Sequence, residues 1–318
     1  MKRPDPWTKS RYDPGLVDAA REAVERLWPG RGAAVSELGG GITNRNYKVS
    51  VDGGVFVLRM GGAKTDLLGI DRSVEHAAGM RAFEVAVGPE VVAFVPAEGW
   101  LVARFIEGRT IPIDEMRRPE MLRRVAEALR RFHSAAPIPG KFDAHEVVED
   151  YRAKAAGHGV NIPAEYHSMH AVSERIRAAR GPQPAVPCHN DLLNANFLED
   201  TAPPSPAATP PHEWGGQILI VDWEYAGMGD RFFDLANFSV NHEFEVEDDR
   251  RLLQTYFGEA RDADLASLRM MRFMSDFREA MWGVLQSGIS DLDFDFPAYA
   301  ARHFARLEVA AAQLTFEA

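Results

Sequence analysis

The sequence predicts an α+β protein of two lobes: a small lobe with a five-stranded antiparallel sheet, residues 1–105, and a larger, mainly helical lobe, residues 106–318. Three observations carry this. Alternating apolar runs of strand length fill residues 35–106, joined by glycine-bearing turns. Amphipathic stretches of helical period begin at Pro119 and dominate from Asp234 onward. With 318 residues, 46% of them hydrophobic and 26% charged, the chain has the length and composition to bury a full core.

In chain order, Asp13 is placed to cap a first helix with Pro14 in its first turn, and Leu16, Val17, Ala20, Val24 and Leu27 form one apolar stripe ending at Gly30. A strand follows around Val35-Ser36-Glu37-Leu38, then the loop Gly39-Gly40-Gly41-Ile42-Thr43-Asn44. Strands at 46–51 and 55–60 flank Asp52-Gly53-Gly54, and Asp-Gly between alternating runs is a strong hairpin signal. A helix is expected over Asp71–Phe83, then strands at 90–95 and 100–106, completing the sheet near a lobe boundary at Phe105. Pro119–His133 reads as an amphipathic helix striped by Leu122, Val125, Leu129 and Phe132. Residues 201–216 form a Pro/Ala-rich insertion, read as an excursion of a hairpin and not a domain linker.

Composition excludes several classes. No apolar run approaches the roughly 20 residues that span a bilayer, so no membrane partner is expected. Met1–Trp7 lacks the apolar core of a signal peptide, and a single cysteine, Cys188, suits a reducing cytoplasm. Cys188 reads as a small buried residue and not a nucleophile. A net charge of −11 argues against nucleic acid. From Asp222 on, 19 Asp and Glu face nine Arg and no Lys, a balance of −10. That reads as a solvated acidic face and also as a negative lobe that draws a cationic substrate. The oligomeric state leaves no signal.

Chemistry concentrates at His189-Asn190-Asp191-Leu192-Leu193-Asn194-Ala195-Asn196, followed by the apolar run Ile218–Val221 ending on Asp222. His-x-Asp, an Asn five positions after the Asp, and a later strand-end Asp match the catalytic loop of kinases. Phosphoryl transfer needs a carboxylate at the acceptor hydroxyl, here Asp191 beside His189, and oxygen ligands for Mg2+ on ATP, here Asn196 and Asp222. Gly40, Gly41, Thr43 and Asn44 suit the approach of backbone amides to phosphate, although a glycine-rich turn alone is weak and matches no Walker or dinucleotide fingerprint. Arg59 ends the next strand as a phosphate clamp. Glu75 is its ion-pair partner, the alternative being a surface glutamate.

These segments, together with Ile220-Val221-Asp222-Trp223-Glu224-Tyr225-Ala226-Gly227 and Asp230–Asp234, resemble the choline/ethanolamine kinase family from about Ser36 to about Leu307. The wider group includes aminoglycoside phosphotransferases. The resemblance implies the two-lobed protein-kinase-like fold, ATP and Mg2+, and phosphorylation of a cationic amino alcohol, choline first and ethanolamine second. An aminoglycoside acceptor and a pseudokinase that binds without turnover are the alternatives. Arg59 follows the family, which tends to use Arg where most kinases have Lys. Adenine is expected near Arg104, Phe105 and Ile106, and His133 is expected to be structural.

For the acceptor, the resemblance points to Trp282, Tyr299 and Tyr225, whose faces can hold an ammonium at about 1–2 kcal/mol each. The alternative for Trp282 and Tyr299 is that they are ordinary core aromatics. Asp230, Asp234, Glu224 and Glu243 are candidates for added negative charge, although Arg231 and Asp234 read better as braces of the metal loop. Where eukaryotic choline kinases carry a second Trp, this chain has Glu279, which suits an ammonium bearing N–H donors.

Overall fold

Asp52 and Gly53, with φ of 50° and 76°, close the expected hairpin, a turn that requires positive φ at both positions. The computed structural model describes residues 14–39, 44–62, 64–201 and 217–316. Expectations for Asp13, for Gly40, Gly41 and Thr43, and for 202–216 of the insertion lie outside the described residues.

The small lobe comprises α1 (Pro14–Leu27), β1 (Ala34–Leu38), β2 (Asn44–Val51), β3 (Gly54–Gly61), α2 (Arg72–Glu84), β4 (Val91–Val95) and β5 (Trp100–Arg104). Its strands form one antiparallel sheet in the order β1-β2-β3-β5-β4. Ala20, Ala23 and Val24 of α1 pack on Tyr47, Val49, Val51, Leu58 and Val102 as a small separate core. Asp71 caps α2 by accepting from the Ser73 and Val74 amides at 2.8 and 3.3 Å, which puts Glu75 in the first turn and buries it.

The fifth strand stops at Arg104, two residues short of the sequence expectation. Phe105 still donates to the Val55 carbonyl at 3.0 Å, and the chain then enters β6 (Gly108–Thr110). Next come α3 (Ile113–Met116), α4 (Pro119–His133), α5 (Ala144–Gly157), α6 (Glu165–Arg180), β7 (Ala185–Cys188), β8 (Phe197–Asp200), β9 (Ile218–Ile220) and β10 (Gly227–Asp230). Helices α7 (Arg231–Asn241), α8 (Val246–Phe257), α9 (Asp262–Ile289) and α10 (Phe296–Gln313) complete the lobe. Strand β6 pairs with β8 and β8 with β9, while β7 pairs with β10. The α+β, two-lobed architecture is as the sequence predicts.

The large core forms around α9, which packs against α5, α7 and α10 and is buried almost continuously from Phe273 to Gln286. It also takes in Leu68, Ile70, Ala78, Ala82 and Val87 from the small-lobe side, so the lobes share apolar packing. No helix among the described residues is long and apolar enough to cross a membrane.

Candidate active site

Strand β7 delivers the loop 189–196, and Asp234 in the first turn of α7 holds it from behind. Its carboxylate accepts the backbone N–H groups of His189 and Asn190 at 2.8 and 2.7 Å. His133 Nε2 meets the same carboxylate at 3.0 Å and its Nδ1 meets the Tyr256 hydroxyl at 2.7 Å, which makes His133 structural as expected. Asp234 therefore braces the catalytic loop, not the metal loop. Asp230 is committed too, since it caps α7 through the Phe232 amide and pairs with Arg180. Neither is placed for a substrate ammonium.

Asn190 takes a left-handed φ of 67°, a conformation Asn tolerates, and the chain turns so that the Asp191 amide donates to His189 Nδ1 at 3.2 Å. His189 Nε2 lies 3.0 Å from the Val221 carbonyl, as donor. Burial lowers the pKa of this ring and favours its neutral form. His189 was expected to share catalysis with Asp191. It is fully buried with both nitrogens committed to backbone groups, so it shapes the loop without reaching an acceptor.

The Val221 amide donates to the Asn196 carbonyl at 3.0 Å and brings Asn196 and Asp222 together. Asn196 Nδ2 donates to the Asp191 carbonyl at 2.9 Å, so the amide oxygen is the group left for a cation. Asp222, at φ 71°, adds a carboxylate. These hard oxygen donors fit Mg2+. Arg59 Nη2 lies 2.5 Å from Asp222 Oδ1, and Arg59 also pairs with Glu75 as expected. Against the effect of burial, Asp222 and Glu75 raise the Arg59 pKa and hold the guanidinium charged.

The network continues through Arg72, which reaches Glu75 at 2.6 Å, Asn44 at 2.8 Å and Glu224 at 3.4 Å. Asn44 donates to Glu224 at 2.7 Å. Glu224, expected at the acceptor, is therefore a tie between the metal loop and the small lobe. Arg72 was missed; its signal was the i,i+3 spacing to Glu75 at a helix start.

Beside Asp191 stands another residue that the sequence reading missed. Arg278 of α9 is 2% exposed, and its Nη2 reaches the Asn190 carbonyl at 2.7 Å and Asp191 Oδ1 at 3.1 Å. Its other terminal nitrogen binds Glu279, whose second oxygen accepts the Tyr299 hydroxyl at 2.7 Å. The guanidinium carbon lies 4.8 Å over the Tyr225 ring. Burial pushes the Asp191 carboxyl well up and Arg278 pulls it back. Glu279, although buried, is held below the usual carboxylate range by Arg278. An arginine inside an otherwise apolar helical stripe was the signal available for this pair.

Trp282 is buried and meets Tyr299 and Phe296 nearly edge-on, at 5.7 Å each. Gly283 permits that approach, since a Cβ there would stand 3.0 Å from the Tyr299 ring and 3.2 Å from the Ala300 Cβ. The structure thus gathers Asp191, Tyr225, Glu279, Trp282 and Tyr299. It does not gather Glu243, which is exposed with its carbonyl bound by Arg117. On the hinge side, Phe105 and Ile106 are half-buried, and the Lys48 ammonium lies 4.2 Å from the Phe105 ring centre.

The choline/ethanolamine kinase family model matches residues 35–252. That span contains the catalytic loop and Asp222 but stops before Arg278. A choline/ethanolamine kinase family protein from Mesorhizobium loti has 32% identity and a TM-score of 0.76, over 93% of this chain and 94% of that one. Ethanolamine kinase 2 of Mus musculus is 23% identical over 323 residues, covering 92% of this chain and 79% of that protein. Probable choline kinase 3 of Arabidopsis thaliana is 26% identical over 238 residues, covering 65% of this chain and 64% of its own length.

Proposed function

The chain belongs to the choline/ethanolamine kinase family, whose members are phosphotransferases with an alcohol group as acceptor, and we propose that it transfers the γ-phosphate of ATP to the hydroxyl of a small amino alcohol. One observation carries this reading. Asp191 is held between Asn196 and Arg278 with Oδ1 engaged, which leaves Oδ2 for the acceptor hydroxyl. The acceptor oxygen attacks the γ-phosphorus, its proton passes to Asp191, and ADP departs with the electrons of the broken P–O bond. Bound Mg2+, held by Asn196 and Asp222, would neutralise charge on the β- and γ-phosphates. Arg59, braced by Glu75, grips the phosphates, and the adenine lies near Arg104–Ile106. Burial of Asp191 keeps competing water from the base.

The sequence ranks choline first, and two observations support an ethanolamine-type acceptor instead. Arg278 already covers the Tyr225 face, and a carboxylate, Glu279, stands at the second Trp position. Trimethylammonium has no N–H and needs open aromatic faces, whereas a primary ammonium can donate to Glu279 as well. The test is a phosphoryl-transfer panel of ethanolamine, its N-methyl series through choline, and an aminoglycoside. The kcat/KM should fall with each methyl, by about tenfold in total, or ~1.4 kcal/mol. A preference for choline would restore the aromatic reading. ATP binding with no acceptor phosphorylated would favour a non-catalytic binding module.

A further inference from the structure

We propose that Arg278 is a positioning residue for the catalytic carboxylate: its guanidinium fixes which oxygen of Asp191 faces the acceptor, and Glu279 and Tyr299 fix the guanidinium. This rests on the proposed function above. One nitrogen, Nη2, meets both the Asn190 carbonyl at 2.7 Å and Asp191 Oδ1 at 3.1 Å. A single rigid plane therefore references the backbone before the base and the base itself. Glu279 holds the other edge of that plane and is itself held by the Tyr299 hydroxyl at 2.7 Å. The Tyr225 ring covers its face at 4.8 Å.

The far side of Asp191 is tied to the same helix. The Leu192 amide donates to Asn237 Oδ1 at 2.5 Å, and Asn237 Nδ2 donates to Ser275 Oγ at 3.0 Å. Ser275 precedes Arg278 by one turn of α9. Thus α9 grips the loop on both sides of Asp191, and it also carries Glu279 and Trp282 of the acceptor wall. At 2% exposure Arg278 is no clamp reaching out to a phosphate, and two carboxylates balance its charge in place. The helix that lines the acceptor site and the group that activates the acceptor form one unit.

The experiment is a double-mutant cycle by single-turnover phosphorylation of ethanolamine, or of choline where it turns over faster. It compares wild type, Arg278→Met, Arg278→Lys, Asp191→Asn and the Arg278→Met/Asp191→Asn pair, with melting temperatures. Arg278→Met should lower the rate about 100-fold with the KM for ATP within about twofold, and Lys should recover part of it. In the Asp191→Asn background, Arg278→Met should cost less than about threefold, because it acts through the carboxylate already removed. Glu279→Gln, which keeps the volume, should lower the rate about tenfold with little change in melting, and serves where Arg278→Met fails to fold. Fully additive losses, or wild-type rates in Arg278→Met or Glu279→Gln, overturn the assignment. A wild-type rate in Asp191→Asn overturns the reading of the site itself.

Discussion

Two residues that carry the site's chemistry or its support sit in left-handed backbone, Asn190 and Asp222, and both are types that tolerate it. Asp222 also meets the small lobe's charge, since Arg59 pairs with it at 2.5 Å. Asp222→Asn should cut turnover by at least about 100-fold at millimolar Mg2+, because a charged oxygen ligand is lost. Near-normal rates at low Mg2+, measured by titration of the metal, would remove Asp222 from the metal site. At this scale the clustering was legible where polar residues stand at fixed spacing, as with Asp191, Asn196 and Asp222, which the fold brings together. It was illegible where a neighbour in sequence faces elsewhere: Glu224 turns to Arg72 and Asn44, and His189 turns inward to Val221. Arg278 was marked only as a charge on an apolar helical face, and that mark does not say that a helix distant in sequence reaches Asp191.

Among elements, the contact between α9 and α10 sets the proposed acceptor wall, and it depends on Gly283 lying against Tyr299 and Ala300. Gly283→Val should push the helices apart, lower the melting temperature, and raise the acceptor KM about tenfold while the ATP KM stays within about twofold. Equal effects on both substrates would mean that α9 does not divide the site in this way. The same contact tests the aromatic wall: Trp282→Ala should raise the acceptor KM, whereas a fall in melting temperature alone would make Trp282 only a core residue. The hairpin was readable from its turn chemistry and α4 from its apolar period, whereas α2 is marked by the Asp71 cap and not by an apolar stripe. Helices α5 and α6 were not, because few large apolar residues mark their buried faces: Ala144, Val148, Tyr151 and Ala155 in α5, and Tyr166, Met169, Ser173 and Ile176 in α6. Strands β7 and β10 have four residues each and contain Pro or several Gly, so their pairing is set by the fold and not by local pattern.

Over the whole molecule, the lobes are joined by Arg59–Asp222, by Arg72–Glu224 and by Lys64, whose ammonium donates to the Ile289 carbonyl at 2.8 Å. Stability should also carry a mark of acid. His242 is fully buried, and burial lowers its pKa to about 4. The unfolded chain takes up that proton near pH 6.5 while the folded chain does not, so this contribution is whole above about pH 7 and is lost as pH falls from 6.5 toward 4. The loss is up to ~3 kcal/mol. Denaturant unfolding at pH 7.5 and 5.0 should show a smaller drop in His242→Gln than in wild type, and an unchanged drop would place the acid sensitivity elsewhere.

We propose phosphoryl transfer to an amino alcohol with Asp191 as the base. Its most direct measurement is the mass and yield of the phosphorylated product from ATP, Mg2+ and ethanolamine or choline, alongside ADP. One phosphorylated amino alcohol per ADP is expected from the wild type, and at least about 100-fold less from Asp191→Asn, with ATP affinity within a few-fold. ADP without phosphorylated amino alcohol, or equal product from Asp191→Asn, would contradict it.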